Sequence, residues 1–179
     1  ASLLSTLIIS YVTTAVGLIY LAFTGWYLSF ADVVLIVFDV FLLTSFGVAF
    51  SSVINAFLST SAQASAVGTI VSAGYGFVCG AYMPVSQFGE GLRNVMGFLP
   101  GTYGTSIIRN HALAGVFREM NAQNFPAEAI EGIKDSVDCN LYFFGAKVSE
   151  AAAYGVLVGS VLLLIGVFVL INVLRKKRS

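Results

Sequence analysis

Asp39 is the most unusual chemically active side chain of this sequence, because apolar residues surround it. It lies seven residues after Asp32, and the apolar stretches contain no lysine or arginine to pair with it. Seven residues span about 10 Å of helix, so we expect Asp39 inside a membrane, where an ionisable side chain costs about 2.5–3.5 kcal/mol. We predict a protonated or water-bonded Asp39 that faces the interior of a helix bundle. The alternative is an ion pair with Arg109.

The other reactive residues do not form catalytic or metal-binding patterns. The sequence has no GxxxxGK[ST] phosphate loop, no HExxH pair and no GxSxG elbow. His111 is its only histidine, and Cys79 and Cys139 lack the spacing of metal ligands, although the sequence leaves open whether they pair. We therefore expect no catalytic, cofactor-binding or metal-binding residues here, no hydrolysis of ATP by this chain and no nucleic-acid partner.

Composition indicates an integral membrane protein. Of 179 residues, 58% are hydrophobic and 10% are charged, against about 25% charged in soluble proteins. A helix needs about 20 apolar residues to cross the hydrocarbon core. We predict an all-α fold, a polytopic membrane helical bundle with four transmembrane helices that forms one domain over residues 1–179. The predicted spans are approximately 3–26, 33–54, 64–83 and 150–174, with an outer segment 84–149 between the last two.

The third predicted span carries a small residue at every fourth position. We call this set the small-residue ridge: Ala64, Gly68, Ser72, Gly76 and Gly80. A period of four keeps these residues near one face of a helix, and small residues allow close helix packing in lipid. We predict a tight helix interface along the ridge. The alternative is that glycine is simply common in membrane helices.

The residues after this span are too polar to cross a membrane and too apolar for an ordinary loop. Pro84 and Pro100 interrupt them at points where a helix must stop or turn. Irregular backbone at membrane depth is tolerated only where protein buries it or water reaches it. We therefore predict a re-entrant hairpin at 84–115 that dips back into the bilayer from the outer surface.

The spacing of these residues resembles the membrane subunit of type-2 ATP-binding-cassette (ABC) exporters. The motif is Gly80-x3-Pro84, followed by Leu99-Pro100-x2-Tyr103-x5-Arg109-x5-Gly115. The resemblance covers essentially the whole chain, as the C-terminal two-thirds of such a permease. That family has six spans and the chain begins at Ala1 without an initiator methionine, so we expect a fragment that lacks the first two spans.

The resemblance implies an exporter whose energy source is another polypeptide. ATP and Mg²⁺ would bind to a separate ABC ATPase subunit, and a second permease copy, identical or not, would complete the path through the membrane. The hairpin would act as an outer gate, in which Pro100 and Gly101 set the turn and Arg109 anchors it. The transported substrate stays open.

The C-terminal charges predict the orientation of the chain. Arg175, Lys176, Lys177 and Arg178 directly follow the last span, and basic residues beside a span stay in the cytoplasm. With four spans both ends of the chain are then cytoplasmic, in a plasma membrane that we expect to be bacterial. The same cluster could bind the headgroups of membrane lipid.

Two other functions are compatible with these residues. One is a proton-coupled secondary transporter that works through Asp39. The other is a non-transporting membrane scaffold that binds a partner helix along the small-residue ridge. Co-purification with an ATPase separates the exporter from both.

Overall fold

The computed structural model describes residues 3–176 and is helical apart from one short hairpin. A 3₁₀ turn, Val85–Gln87, and an antiparallel pair of two-residue strands, β1 (Tyr142–Phe143) and β2 (Ala146–Lys147), accompany the helices. The strands are absent from the sequence-based prediction. The α-helices of the described residues are α1 (Leu3–Thr24), α2 (Phe30–Asn55), α3 (Ser61–Val78), α4 (Glu90–Met96), α5 (Pro100–Ala122), α6 (Ala127–Ser136) and α7 (Glu150–Lys176).

Three helices of the described residues, α1, α2 and α7, are long and apolar enough to cross a membrane. They indicate a membrane protein, as predicted, and their ends lie within three residues of the predicted ones. The third predicted span corresponds to α3, which ends at Val78 rather than at residue 83 and is not among the three.

Reciprocal hydrogen bonds at the first turn explain where α2 and α3 begin. The Ser29 hydroxyl accepts a hydrogen bond from the Asp32 N–H, while the Asp32 carboxylate accepts one from the Ser29 N–H at 2.7 Å. Thr60 and Gln63 form the same arrangement at the start of α3. Each of these capping boxes satisfies N–H groups that the first turn of a helix leaves without a partner.

α2, α5 and α7 form the centre of the bundle, and α1 packs on α2. α5 contains more buried residues than any other helix described, although it is not apolar enough to be a candidate span. Two glycines allow its close approach. A Cβ at Gly104 would lie 2.7 Å from a Leu43 methyl group of α2, and a Cβ at Gly115 would lie 2.0 Å from the carbonyl oxygen of Tyr27.

α3 lies apart from this centre, since none of its residues is buried. Its attachment is near its C-terminal end, at Tyr75. The Tyr75 hydroxyl accepts a hydrogen bond from the Gly101 N–H at 3.0 Å, and the Tyr75 ring lies 5.3 Å from the Phe50 ring of α2. The Thr105 hydroxyl adds a bond of 2.9 Å to the Cys79 carbonyl, just beyond the helix.

The small-residue ridge faces a groove rather than a closely packed helix. Gly68, Ser72 and Gly76 line the space between α3 and α2. A Cβ at Gly68 would have no heavy atom within 4 Å, and one at Gly76 would meet only the ring of Tyr82, at 2.9 Å. Gly80 lies beyond the helix with φ +82. Within the described chain, the ridge therefore has no tight helix contact at Gly68 or Gly76.

Candidate functional site

Asp39 is held between two side chains from other helices. It is 2% exposed. One carboxylate oxygen lies 2.5 Å from His111 Nδ1 of α5, and the other accepts a hydrogen bond of 2.5 Å from the Tyr154 hydroxyl of α7. The predicted inward orientation of Asp39 is thus observed, but the alternative contact with Arg109 is wrong, because Arg109 binds elsewhere.

His111 links the buried carboxylate to a second, exposed one. Its other ring nitrogen, Nε2, lies 3.3 Å from Glu150 Oε1 at the first residue of α7. The His111 side chain is 9% exposed, whereas the Glu150 side chain is 59% exposed. One imidazole therefore joins a carboxylate inside the bundle to a carboxylate at its surface.

A second pair lies two helical turns away on the same two helices. Arg118 Nη1 of α5 donates to the buried carboxylate of Asp32 at 3.1 Å, and Nη2 donates to its other oxygen. Asp32 and Asp39 are separated by seven residues on α2, as are His111 and Arg118 on α5. The pairs match only because the helices are antiparallel. We call the four residues the acid–base ladder: Asp32, Asp39, His111 and Arg118.

Arg109, which the sequence predicts to be an anchor, connects three separate parts of the chain. Its guanidinium donates to the Asp138 carboxylate at 3.0 Å and to the carbonyl oxygen of Gly80. Asp138 is 2% exposed and also accepts from the N–H groups of Val85 and Ser86, the latter at 2.8 Å. These bonds fasten the turn after α3 to α5 and to the segment that follows α6.

The other predicted gate residues lie at the ends or crossings of helices rather than in one site. Pro84 precedes the 3₁₀ turn and Pro100 is the first residue of α5, where its missing N–H is tolerated. The Tyr103 hydroxyl donates to the Gly97 carbonyl at 2.6 Å. The predicted hairpin ends at Gly115, but α5 continues through Gly115 to Ala122.

Two cavities flank the C-terminal half of α2, beyond the ladder residues Asp32 and Asp39. One of about 870 Å³ lies between α1, α2 and α7, and its lining is rich in hydroxyl and amide groups, including Ser10, Thr44, Ser51, Asn55 and Asn172. The other, of about 410 Å³, is the groove between α2, α3 and α5, which aromatic rings line.

The exposed side of the outer segment carries its own ionic cluster around Glu131. The Glu131 carboxylate accepts hydrogen bonds from Lys147 at 3.0 Å, from Lys134 at 3.2 Å and from Asn140 at 3.0 Å. These hydrogen bonds, of which the one from Lys147 has the largest effect, hold the pKa of Glu131 at about 2. The cluster ties α6 to the β-hairpin.

Neither cysteine forms a disulfide, and the described residues contain no cluster of three ligands that could hold a metal ion. Both thiols are buried, and burial raises the pKa of Cys139 to about 11. Of the predicted basic anchor, Arg175 and Lys176 form the last turn of α7. Lys177 and Arg178 lie outside the described residues.

Glu150, Tyr154 and Asp138 are not among the site residues predicted from the sequence. The signal for the ladder was present, because the spacing of seven between two acids on α2 recurs between His111 and Arg118. Pairing them required knowing that α5 is one continuous antiparallel helix. Searches of the protein-family models, the curated proteins and the solved structures found no match to this chain.

Proposed function

We propose that this chain is the permease subunit of an ATP-driven ABC exporter in a plasma membrane, with ATP hydrolysed by a separate subunit. The observation that carries the transport part of this proposal is α5, a helix with a polar interior face buried among candidate spans. The ATP-driven part rests on the resemblance of the motif between Gly80 and Gly115.

The position of α5 supports a re-entrant segment. Its first turn lies against Leu43, near the middle of α2, through Gly104. Its polar side chains are satisfied by neighbouring helices, since Ser106 donates to the Asp138 carbonyl at 2.7 Å and His111 meets Asp39. A helix of this polarity at that depth requires such partners, because lipid offers none.

The dimensions of α3 support a fourth span. Its 18 residues would reach about 27 Å, close to the hydrocarbon thickness of about 30 Å. A crossing by α3 places the end of α7 on the same side as the start of α1, and the basic end of α7 then favours the cytoplasm. The outer segment between α3 and α7 would lie outside.

The cavity between α1, α2 and α7 supports a path for substrate. Its hydroxyl and amide lining extends along the half of α2 that includes Thr44, Ser51 and Asn55, a distance of about 16 Å. Hydroxyl and amide groups on a cavity wall provide hydrogen-bond partners for the polar groups of a substrate. A second permease copy would enclose this polar face.

Purification of the tagged chain from its native membranes in mild detergent tests the proposal. We expect a nucleotide-binding protein to co-purify with it and to hydrolyse ATP, and vesicles containing both to accumulate substrate only with ATP. Arg109→Ala should reduce export and retain the ATPase, because the partners of Arg109 are Asp138 in the outer segment and Gly80 just before it. Purification without any nucleotide-binding protein contradicts the proposal and favours the proton-coupled transporter or the scaffold.

A further inference from the structure

The ring of His111 lies between two carboxylates that belong to different helices. Nδ1 is 2.5 Å from Asp39 of α2, and Nε2 is 3.3 Å from Glu150 of α7. A neutral imidazole has one N–H donor and one acceptor nitrogen, whereas an ionised carboxylate only accepts. Both contacts can be hydrogen bonds only if the group of three side chains carries one additional proton.

The groups around the imidazole favour that proton. Asp39 faces it from α2, and Glu150 faces it from α7; Tyr154 of α7 donates to the other oxygen of Asp39. Both cations of α5 are paired with other carboxylates: Arg109, two residues before His111, with Asp138, and Arg118, two turns away, with Asp32. Two ionised carboxylates beside a neutral imidazole carry a charge of −2, which one bound proton reduces to −1, and opposite charge within about 4–6 Å stabilises an imidazolium.

The arrangement also provides a route to solvent. Asp39 and His111 are buried, but most of the Glu150 side chain is exposed. We propose that Asp39, His111 and Glu150 form a proton-binding site that exchanges its proton with solvent through Glu150. The site does not depend on ATP-driven transport, because it follows from the contacts among α2, α5 and α7 alone.

Nuclear magnetic resonance tests this site directly, because His111 is the only histidine of the chain. The full chain, labelled with ¹⁵N-histidine and held in lipid nanodiscs, gives one pair of ring nitrogen signals. Spectra from about pH 5 to about pH 8 cover the interval in which histidine ordinarily changes charge. At the acidic end we expect both ring nitrogens to carry hydrogen.

Glu150→Gln removes the exposed carboxylate and is expected to shift this titration. The pH at which the second N–H disappears should fall, since the charge that stabilises the imidazolium is lost. Glu90→Gln is the matched control, because Glu90 is also an exposed glutamate at the first residue of a helix. It should leave the titration unchanged.

An infrared spectrum covers the case in which a carboxyl group holds the proton. A carbonyl band of a protonated acid should then be present and should disappear in Glu150→Gln or in Asp39→Asn. The proposal is overturned if Glu150→Gln titrates like the unaltered chain and no such band is found. Glu150 is exposed, so its replacement tests the site even if Asp39→Asn does not fold.

Discussion

The Asp39 carboxylate and the His111 imidazole meet at 2.5 Å across the interface of α2 and α5. Both are buried, and each is a polar partner of the other, in addition to Tyr154 for Asp39 and Glu150 for His111. A buried ionisable side chain without a partner is strongly unfavourable. This contact therefore joins the helix that carries the polar cavity to the helix that we propose to be re-entrant.

His111→Ala should destabilise the protein by about 3–5 kcal/mol, the usual effect of removing one member of a buried pair. The loss arises because Asp39 then retains only the Tyr154 bond. Reversible unfolding in mixed micelles measures it. Asp39→Asn/His111→Gln keeps neutral polar groups at both positions and should be more stable than His111→Ala; equal stability of the two variants contradicts a direct coupling.

Gly115→Ala should disrupt the crossing of α5 over the segment that precedes α2. Its Cβ would lie 2.0 Å from the backbone oxygen of Tyr27, so the backbone must move, and overpacking of this kind costs about 1–3 kcal/mol or more. Gly155→Ala on α7 is the control, because a Cβ there has no heavy atom within 4 Å. The two melting temperatures decide the outcome: similar values would mean that the crossing is not close-packed.

Arg109→Ala should loosen the turn that follows α3. The change leaves the buried Asp138 carboxylate with only backbone partners and removes the bond to the Gly80 carbonyl. We expect faster proteolysis within residues 80–89, measured by mass spectrometry of the fragments. Arg109→Lys should recover little, because one ammonium group does not reproduce a planar fork with several donors. Arg175→Ala, at the exposed C-terminal end of α7, serves as the comparison, and equal cleavage of the two variants argues against the anchor.

Acid should release the β-hairpin from α6. The pKa of Glu131 is about 2, below its ordinary value of 4.5, so its stabilising contribution is complete above about pH 4.5 and is lost as pH falls toward 2. Hydrogen exchange of the hairpin amides should rise in this interval relative to the protection of α7. In Glu131→Gln, the hairpin amides should already exchange faster at neutral pH. If they stay protected in that variant, the ionic cluster is not what attaches the hairpin to α6.

Both cysteines should be free but unreactive in the folded protein. Burial raises the pKa of Cys139 to about 11, and the thiolate is the form that attacks maleimide. Maleimide at neutral pH should therefore label neither cysteine until the chain is unfolded in dodecyl sulfate, when two labels without reductant are expected. A mass without labels under those conditions would indicate a disulfide.

The sequence predicted the elements of this fold better than their contacts. Apolar length located α1, α2 and α7, because each is continuous and free of strong interruptions. α3 is less apolar, so its span stays a prediction. Asp39 was predicted to face inward since lipid cannot solvate it, but its partner His111 is 72 residues away in sequence. This contact can be predicted only if α5 is known to be continuous and antiparallel to α2. Pro100 and Gly115 suggested a broken hairpin instead.

Because α3 is attached through Tyr75, near its C-terminal end, a rotation of this helix would pivot at that residue. The rings of Phe46 and Phe50 and the N–H of Gly101 hold Tyr75 in place, while the start of α3 lies 14 residues earlier, about 21 Å away. A small rotation about Tyr75 would therefore swing the Ser61 end several times farther than it moves Gly101. Such a rotation would change the width of the groove between α3 and α2, whereas the bonds of the ladder join α2 and α5 and do not involve α3.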